Sequence, residues 1–160
     1  MNKKKLEKIW GSVGFIMHLS QLIEYNIVNI IAGHKFLQDI DVQKGISIEK
    51  YIQRANASNK KLHNLSDKKT MGDVVNAAKD VNLFEADLVN KIDHVKSRRD
   101  YYAHTFFKEQ LFSKDMENNP NILLDMLSQD INEMASLNDQ LLAIDIKQRE
   151  QAKEIKNSFN

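Results

Sequence analysis

The sequence predicts an all-α protein, a bundle of four to five helices. Three observations carry this. Turn-forming residues are scarce, with 5 Gly and 1 Pro in 160 residues, too few for the many turns of an all-β domain. Apolar residues recur at steps of three and four over 13–37 and 123–144, the period of a helix with one buried face. No segment sustains the apolar–polar alternation of a half-buried strand.

The first helix is expected over 13–37. Ile16, Leu19, Ile23, Ile27, Ile30 and Ile31 form its stripe, and Phe15, Leu22 and Phe36 a second row beside it. Gly11 and Gly14 read as a loose start, and Gly33 stands close to the end, before a loop at 39-DIDVQKG-45. Ser47 is placed to N-cap a short helix through Arg54. The polar run 55-ANASNKKLHNLSDKK-69 reads as the longest loop.

Thr70-Met71-Gly72-Asp73 has the form of a capping box with Asp in place of Glu. The helix it heads buries Val74, Val75 and Ala78. Another helix begins near Leu83 and runs through Leu88, Ile92 and Val95 into 97-SRRDYYAHTFFKEQL-111. Asn119 and Pro120 suit the N-cap and first turn of the last helix. Its stripe is Leu123, Leu127, Ile131, Met134, Leu137, Leu141 and Ile144. Beyond it, the polar tail QREQAKEIKNSFN is expected to fray from position 148. The whole of 1–160 is read as one domain.

Composition narrows the function. Net charge is +1, so no whole-molecule field draws in nucleic acid or membrane, and an RNA partner needs a local patch. The absence of cysteine excludes disulfides, thiolate catalysis and cysteine metal sites and fits a cytoplasmic setting. The N-terminal lysines and apolar residues are interrupted by Glu7, His18, Gln21 and Glu24, unlike a signal peptide. No window supplies the roughly 20 apolar residues of a membrane span. The expectation is a soluble protein with no membrane partner. The five histidines fall into no Glu-x-x-His pairs or H-E-x-x-H, and there is no P-loop or G-x-G-x-x-G, so neither metal nor cofactor is expected. The segment 73-DVVNAAKDVNLFEADLVNKI-92 loosely suggests a helix-turn-helix, but its second helix is acidic where DNA contacts need cations or amides.

The stretch 97-SRRDYYAHTFFKEQL-111 concentrates ionic and aromatic residues, and two readings compete for it. In one, Val95, Tyr102 and Phe106 continue the core stripe, Arg98 and Arg99 are solvated or paired with nearby acids for well under ~1 kcal/mol, and His104 is a core histidine. In the other, the stretch cuts RNA. Metal-free cleavage needs a base for the 2′-hydroxyl proton, which histidine suits, and a cation on the phosphoryl oxygens, which arginine supplies. Arg99, followed by Asp100, is the better candidate arginine, with His104 the base. Residues five apart on a helix lie about 140° around the axis, so Arg99 and His104 converge only if the helix ends or bends between them. Asp100, four before His104, could hold the imidazole or pair with Arg99. Tyr101 and Tyr102 could stack on an unpaired base, and Lys96, Arg98 and Lys108 could contact phosphates.

Arg99-Asp100-Tyr101-Tyr102-Ala103-His104 resembles the R-x4-6-H motif of the HEPN superfamily, in which a polar residue often follows the arginine. The resemblance extends to the motif's place, after the helix of 83–97 and before the last helix. The first helix, with 18-HLSQLIE-24, is also similar to the opening helix of small HEPN proteins. The resemblance implies a HEPN-like bundle and a metal-independent endoribonuclease of a toxin–antitoxin or phage-defence system. It implies a homodimer whose two motifs face one cleft, with an antitoxin or other protein partner. Arg99 would contact the scissile phosphate, His104 transfer protons, Asp100 orient one of them, and the product end would be a 2′,3′-cyclic phosphate. The superfamily also contains non-catalytic modules that bind a protein or nucleotide. This chain has His104-Thr105-Phe106 where toxins paired with a nucleotidyltransferase often carry His-x-Tyr, so it lacks the tyrosine modified there.

Overall fold

A computed structural model describes residues 3–42, 70–80, 82–113 and 118–157, with isolated positions 53, 57 and 60. Among the described residues the chain is all-α, with five helices and no strand: α1 (Lys3–Val42), α2 (Met71–Asp80), α3 (Ala86–His104), α4 (Phe106–Ser113) and α5 (Pro120–Asn157). Of the short helix expected from Ser47 to Arg54 only Gln53 is described, and it is helical; of the loop expected at 55–69 only Ala57 and Lys60 are described, and both are helical, against that expectation.

The first helix is longer than its periodic core suggests. α1 starts ten residues before position 13, at Lys3, because Ile9 (0% exposed) and Val13 (6%) extend the buried stripe backward from Ile16. Gly11 and Gly14 are therefore interior helix residues, and a β-carbon at either would meet nothing. Gly33 is interior too. The space beyond its α-carbon is filled by the Gln148 side chain of α5, so the glycine serves a close approach and does not end the helix. α1 also takes in the first four residues of the loop expected at 39–45.

The chain clusters into two compact units, Met1–Ile23 with Ala86–Asn138, and Glu24–Glu85 with Asp139–Asn160. The first unit buries Ile9, Val13, Ile16, Leu19 and Ile23 of α1, Ile92, Val95 and Tyr102 of α3, Phe106 of α4, and Leu123, Leu127, Met134 and Leu137 of α5. The second buries Ile27, Val28, Ile30 and Ile31 of α1, Met71, Val74, Val75 and Ala78 of α2, and Leu141 of α5. Phe15 and Leu22 of the expected second row are instead exposed.

The predicted caps have clear geometry. The Thr70 backbone N–H donates to Asp73 Oδ2 at 2.9 Å, and the Asp73 N–H donates back to Thr70 Oγ1 at 3.4 Å, the reciprocal pair of a capping box. α5 begins at Pro120, and the Leu123 N–H closes its first turn on the Asn119 carbonyl at 3.3 Å. α3 starts at Ala86, three residues after Leu83. Asn82 has a positive φ of 46°. Its N–H donates to the Lys79 carbonyl at 2.9 Å, and the Leu83 N–H to the Ala78 carbonyl at 3.4 Å. These are the two bonds of a Schellman C-cap. α5 also runs past position 148 to Asn157. Gln, Arg, Glu, Ala and Lys there all favour helix, and Arg149 Nε donates to Asp145 Oδ2 at 2.9 Å across one turn.

Candidate functional site

The residues that resemble the motif stand at the C-terminal end of α3, inside the first unit. Val95 (3% exposed) and Tyr102 (2%) hold this end of the helix in the core, and Phe106 (0%) continues their stripe into α4. Thr105 is a turn residue between the two helices. Its N–H donates to the Tyr101 carbonyl at 2.8 Å, and the Glu109 N–H donates to the Thr105 carbonyl at 3.0 Å. These are the last four-residue bond of α3 and the first of α4, so Thr105 joins the two helices as a single turn residue.

The regularity of α3 decides what meets what within it. α3 is regular from Ala86 through His104, with no bend between Arg99 and His104, so the two project about 140° apart and do not converge within one chain. Arg99 lies with its Nη1 2.9 Å from Asp100 Oδ1, on side chains 30% and 45% exposed. Of the two roles considered for Asp100, the structure has it paired with Arg99. His104 is exposed, in one row with Asp100 a turn before it, and Lys108, four residues on in α4, is exposed too. It is not a core histidine. Lys96 is half-buried.

Arg98 has a different fate. Its Nε donates to both carboxylate oxygens of Asp130 on α5 at 3.0 Å, and its Nη2 bonds the same carboxylate and lies 3.4 Å from the Tyr102 hydroxyl. The Tyr102 hydroxyl also donates to Asp130 Oδ2. The guanidinium carbon sits 5.6 Å and 5.5 Å from the ring centres of Tyr101 and Tyr102. Asp130 is 6% exposed, so this is an internal network tying α3 to α5. The His94 ring, one turn earlier, approaches Glu133 of α5 at 3.4 Å on the surface. Arg98 is thus engaged by Asp130, with 27% of its side chain exposed, and Tyr102 is 2% exposed. The buried carboxylate is what engages both of these residues, which were expected to contact RNA.

The network perturbs its members. Burial alone would weaken the proton's hold on Arg98, but the Asp130 hydrogen bond and the neighbouring charges outweigh it, and the pKa rises. Burial, and then the bond to Asp130, push the Tyr102 hydroxyl far above the usual tyrosine range. Tyr101 is raised by burial and by donating to Glu109 Oε2 at 2.9 Å. These hydroxyls are hydrogen-bond donors held neutral.

Sequence reasoning missed Asp130, although a signal was present. It lies three after Leu127 and four before Met134, on the apolar stripe of α5, and an acid on a buried stripe needs a cationic partner. It also missed Trp10, 56% exposed, whose ring stacks on Phe107 of α4 at 4.4 Å and 25°.

Among the described residues no group of three or more His, Asp or Glu side chains is placed to hold a metal, and no helix is long and apolar enough to cross a membrane. Compared with known proteins, the chain matches no family model, no curated protein and no solved structure.

Proposed function

We propose that this chain is a HEPN-type endoribonuclease that cuts single-stranded RNA without a divalent metal, as a cytoplasmic homodimer in a toxin–antitoxin or phage-defence system. The observation that carries the reading is the exposed His104, one turn after Asp100, with Arg99 tied to Asp100 beside it. A base that must reach a 2′-hydroxyl has to be exposed, and this one is. His104 takes the 2′-hydroxyl proton. The 2′ oxygen attacks phosphorus, the bond to the 5′ oxygen breaks, and that oxygen leaves with a proton from a protonated imidazole. A 2′,3′-cyclic phosphate and a 5′-hydroxyl result. The arginine fork stabilises the charge on the phosphoryl oxygens. Because Arg99 and His104 diverge on one helix, the working pair is Arg99 of one copy with His104 of a second.

The test is cleavage of a labelled single-stranded RNA in EDTA by wild type, Arg99→Ala and His104→Ala, with circular dichroism on each. Wild type cuts and both variants, folded as wild type, do not. Equal cleavage by all three sinks the proposal.

One observation favours a second reading, a non-catalytic helical module that binds a protein or nucleotide partner. Arg98 and Tyr102, two prominent residues of the stretch, are spent on the internal Asp130 network. On that reading no RNA is cut in EDTA, and His104→Ala changes the melting temperature more than any activity. RNase activity abolished in folded His104→Ala excludes it.

A further inference from the structure

We propose that Trp10 is a base-stacking platform beside His104, accepting one unpaired base of the single-stranded RNA. This rests on the RNA-cleaving reading above and gives that site a substrate contact. The rings that the sequence offers for stacking are otherwise engaged: Tyr102 is 2% exposed and Tyr101 is hydrogen-bonded to Glu109 through its hydroxyl. Trp10 is free where they are not. More than half of the residue is exposed, yet its ring is fixed. It stacks on Phe107 at 4.4 Å, and Phe107 meets Phe106 edge-to-face at 5.1 Å and 76°. Phe106 is fully buried. A line of three rings therefore runs from the core to the surface, with Trp10 backed by a ring on one face and more than half of the residue open to solvent.

The position of this platform matters as much as its exposure. Phe107 lies three residues after His104, across the single turn residue Thr105, whose N–H still bonds the Tyr101 carbonyl. Residues three apart on a helix are surface neighbours, with β-carbons about 5–6 Å apart. The stacked pair thus adjoins the proposed base. Lys108, exposed and one turn from His104, is placed for a phosphate next to a base stacked on Trp10. A π-face with an adjacent cation is the arrangement that holds single-stranded nucleic acid with little preference for sequence, whereas a base inside a duplex cannot reach such a ring.

Trp10 is the one tryptophan of the chain, so its fluorescence reports on the platform directly. The full-length His104→Ala chain, which leaves the RNA uncut, is titrated into a short 5′-labelled oligouridylate. Label anisotropy reads binding and tryptophan emission reads stacking. The expected result is saturable quenching with the same midpoint as the anisotropy. Trp10→Leu weakens binding about 5- to 150-fold, and Trp10→Phe restores most of it, with unchanged circular dichroism. If the RNA binds but emission does not move and Trp10→Leu binds equally well, the platform is wrong while the RNA reading stands. If no RNA binds and wild type cuts none, both fall. If emission shifts with protein concentration alone, a second copy covers the ring and the platform is overturned.

Discussion

Replacing Asp130 with alanine removes the acceptor shared by Arg98 and Tyr102. The carboxylate is 7% exposed and the Arg98 side chain 27%. Breaking a fully buried ion pair by deleting one partner costs about 3–5 kcal/mol, because the other charge is stranded. Arg98 keeps some access to water, which lowers the expected loss to about 2–4 kcal/mol. The lost tyrosine bond is part of that figure and does not add to it, since the three groups form one network. For a chain of this size each kcal/mol moves the melting temperature by about 2–4 °C, so a loss near 3 kcal/mol lowers it by roughly 6–12 °C. Thermal melts followed by circular dichroism read this directly. Asp100→Ala is the control: its pair with Arg99 is far more open to water than Arg98–Asp130, at 30% and 45% side-chain exposure, and its loss is worth about 1 kcal/mol or less. The double variant Arg98→Met with Asp130→Leu, which removes both charges and keeps apolar volume, should recover most of the stability. An Asp130→Ala protein melting within about 2 °C of wild type would refute the reasoning, since it would mean that Arg98 rehydrates at no cost.

Further predictions concern the same packing and the caps. The Tyr102 hydroxyl holds its proton more tightly folded than unfolded, where the value is 10.0. The stability this gives is complete below that pH and lost as pH rises above it. Urea midpoints measured across the alkaline range should therefore fall above about pH 10, and less steeply in Tyr102→Phe. Asn82 occupies a left-handed conformation, so Asn82→Val should cost about 1–2 kcal/mol while Asn82→Gly is neutral or slightly stabilising, as thermal melts will show. Gly11→Ala and Gly14→Ala, where the new methyl meets nothing, should each stabilise by about 0.5–1 kcal/mol in chemical denaturation.

Local features were legible in the sequence because they rest on spacing. The stripe from Ile16 to Ile31 and that from Leu123 to Leu141 are read by period alone, and the Thr70–Asp73 box and the Asn119–Pro120 start by residue type and offset. The ends of α1 and α5 were harder. Glycines at 11, 14 and 33 argue for breaks, but burial of Ile9 and Val13 and the place taken by Gln148 override that weak preference. The candidate site shows the same divide. His104, Asp100 and Arg99 share one helix, so their angular relation follows from arithmetic. The engagement of Arg98 and Tyr102 depends on an acid 32 and 28 residues away, and the stacking of Trp10 on a ring 97 positions later. Separations of that kind are set by tertiary packing, which no local pattern encodes.

The internal use of Arg98 has a consequence for ionic strength. Of the cations around the motif, Arg98 is balanced by Asp130 and Arg99 by Asp100. Lys96 and Lys108 pair with no acid among the described residues. If Arg99 and the two lysines of each chain meet phosphates, counterion release from a single strand gives a logarithmic salt slope of only about −2.1 per chain. An RNA held in this way is gripped mainly by ring contact, which salt does not screen. Raising potassium chloride within the physiological range should weaken its binding only slightly, whereas a protein that held RNA through a basic face would let go.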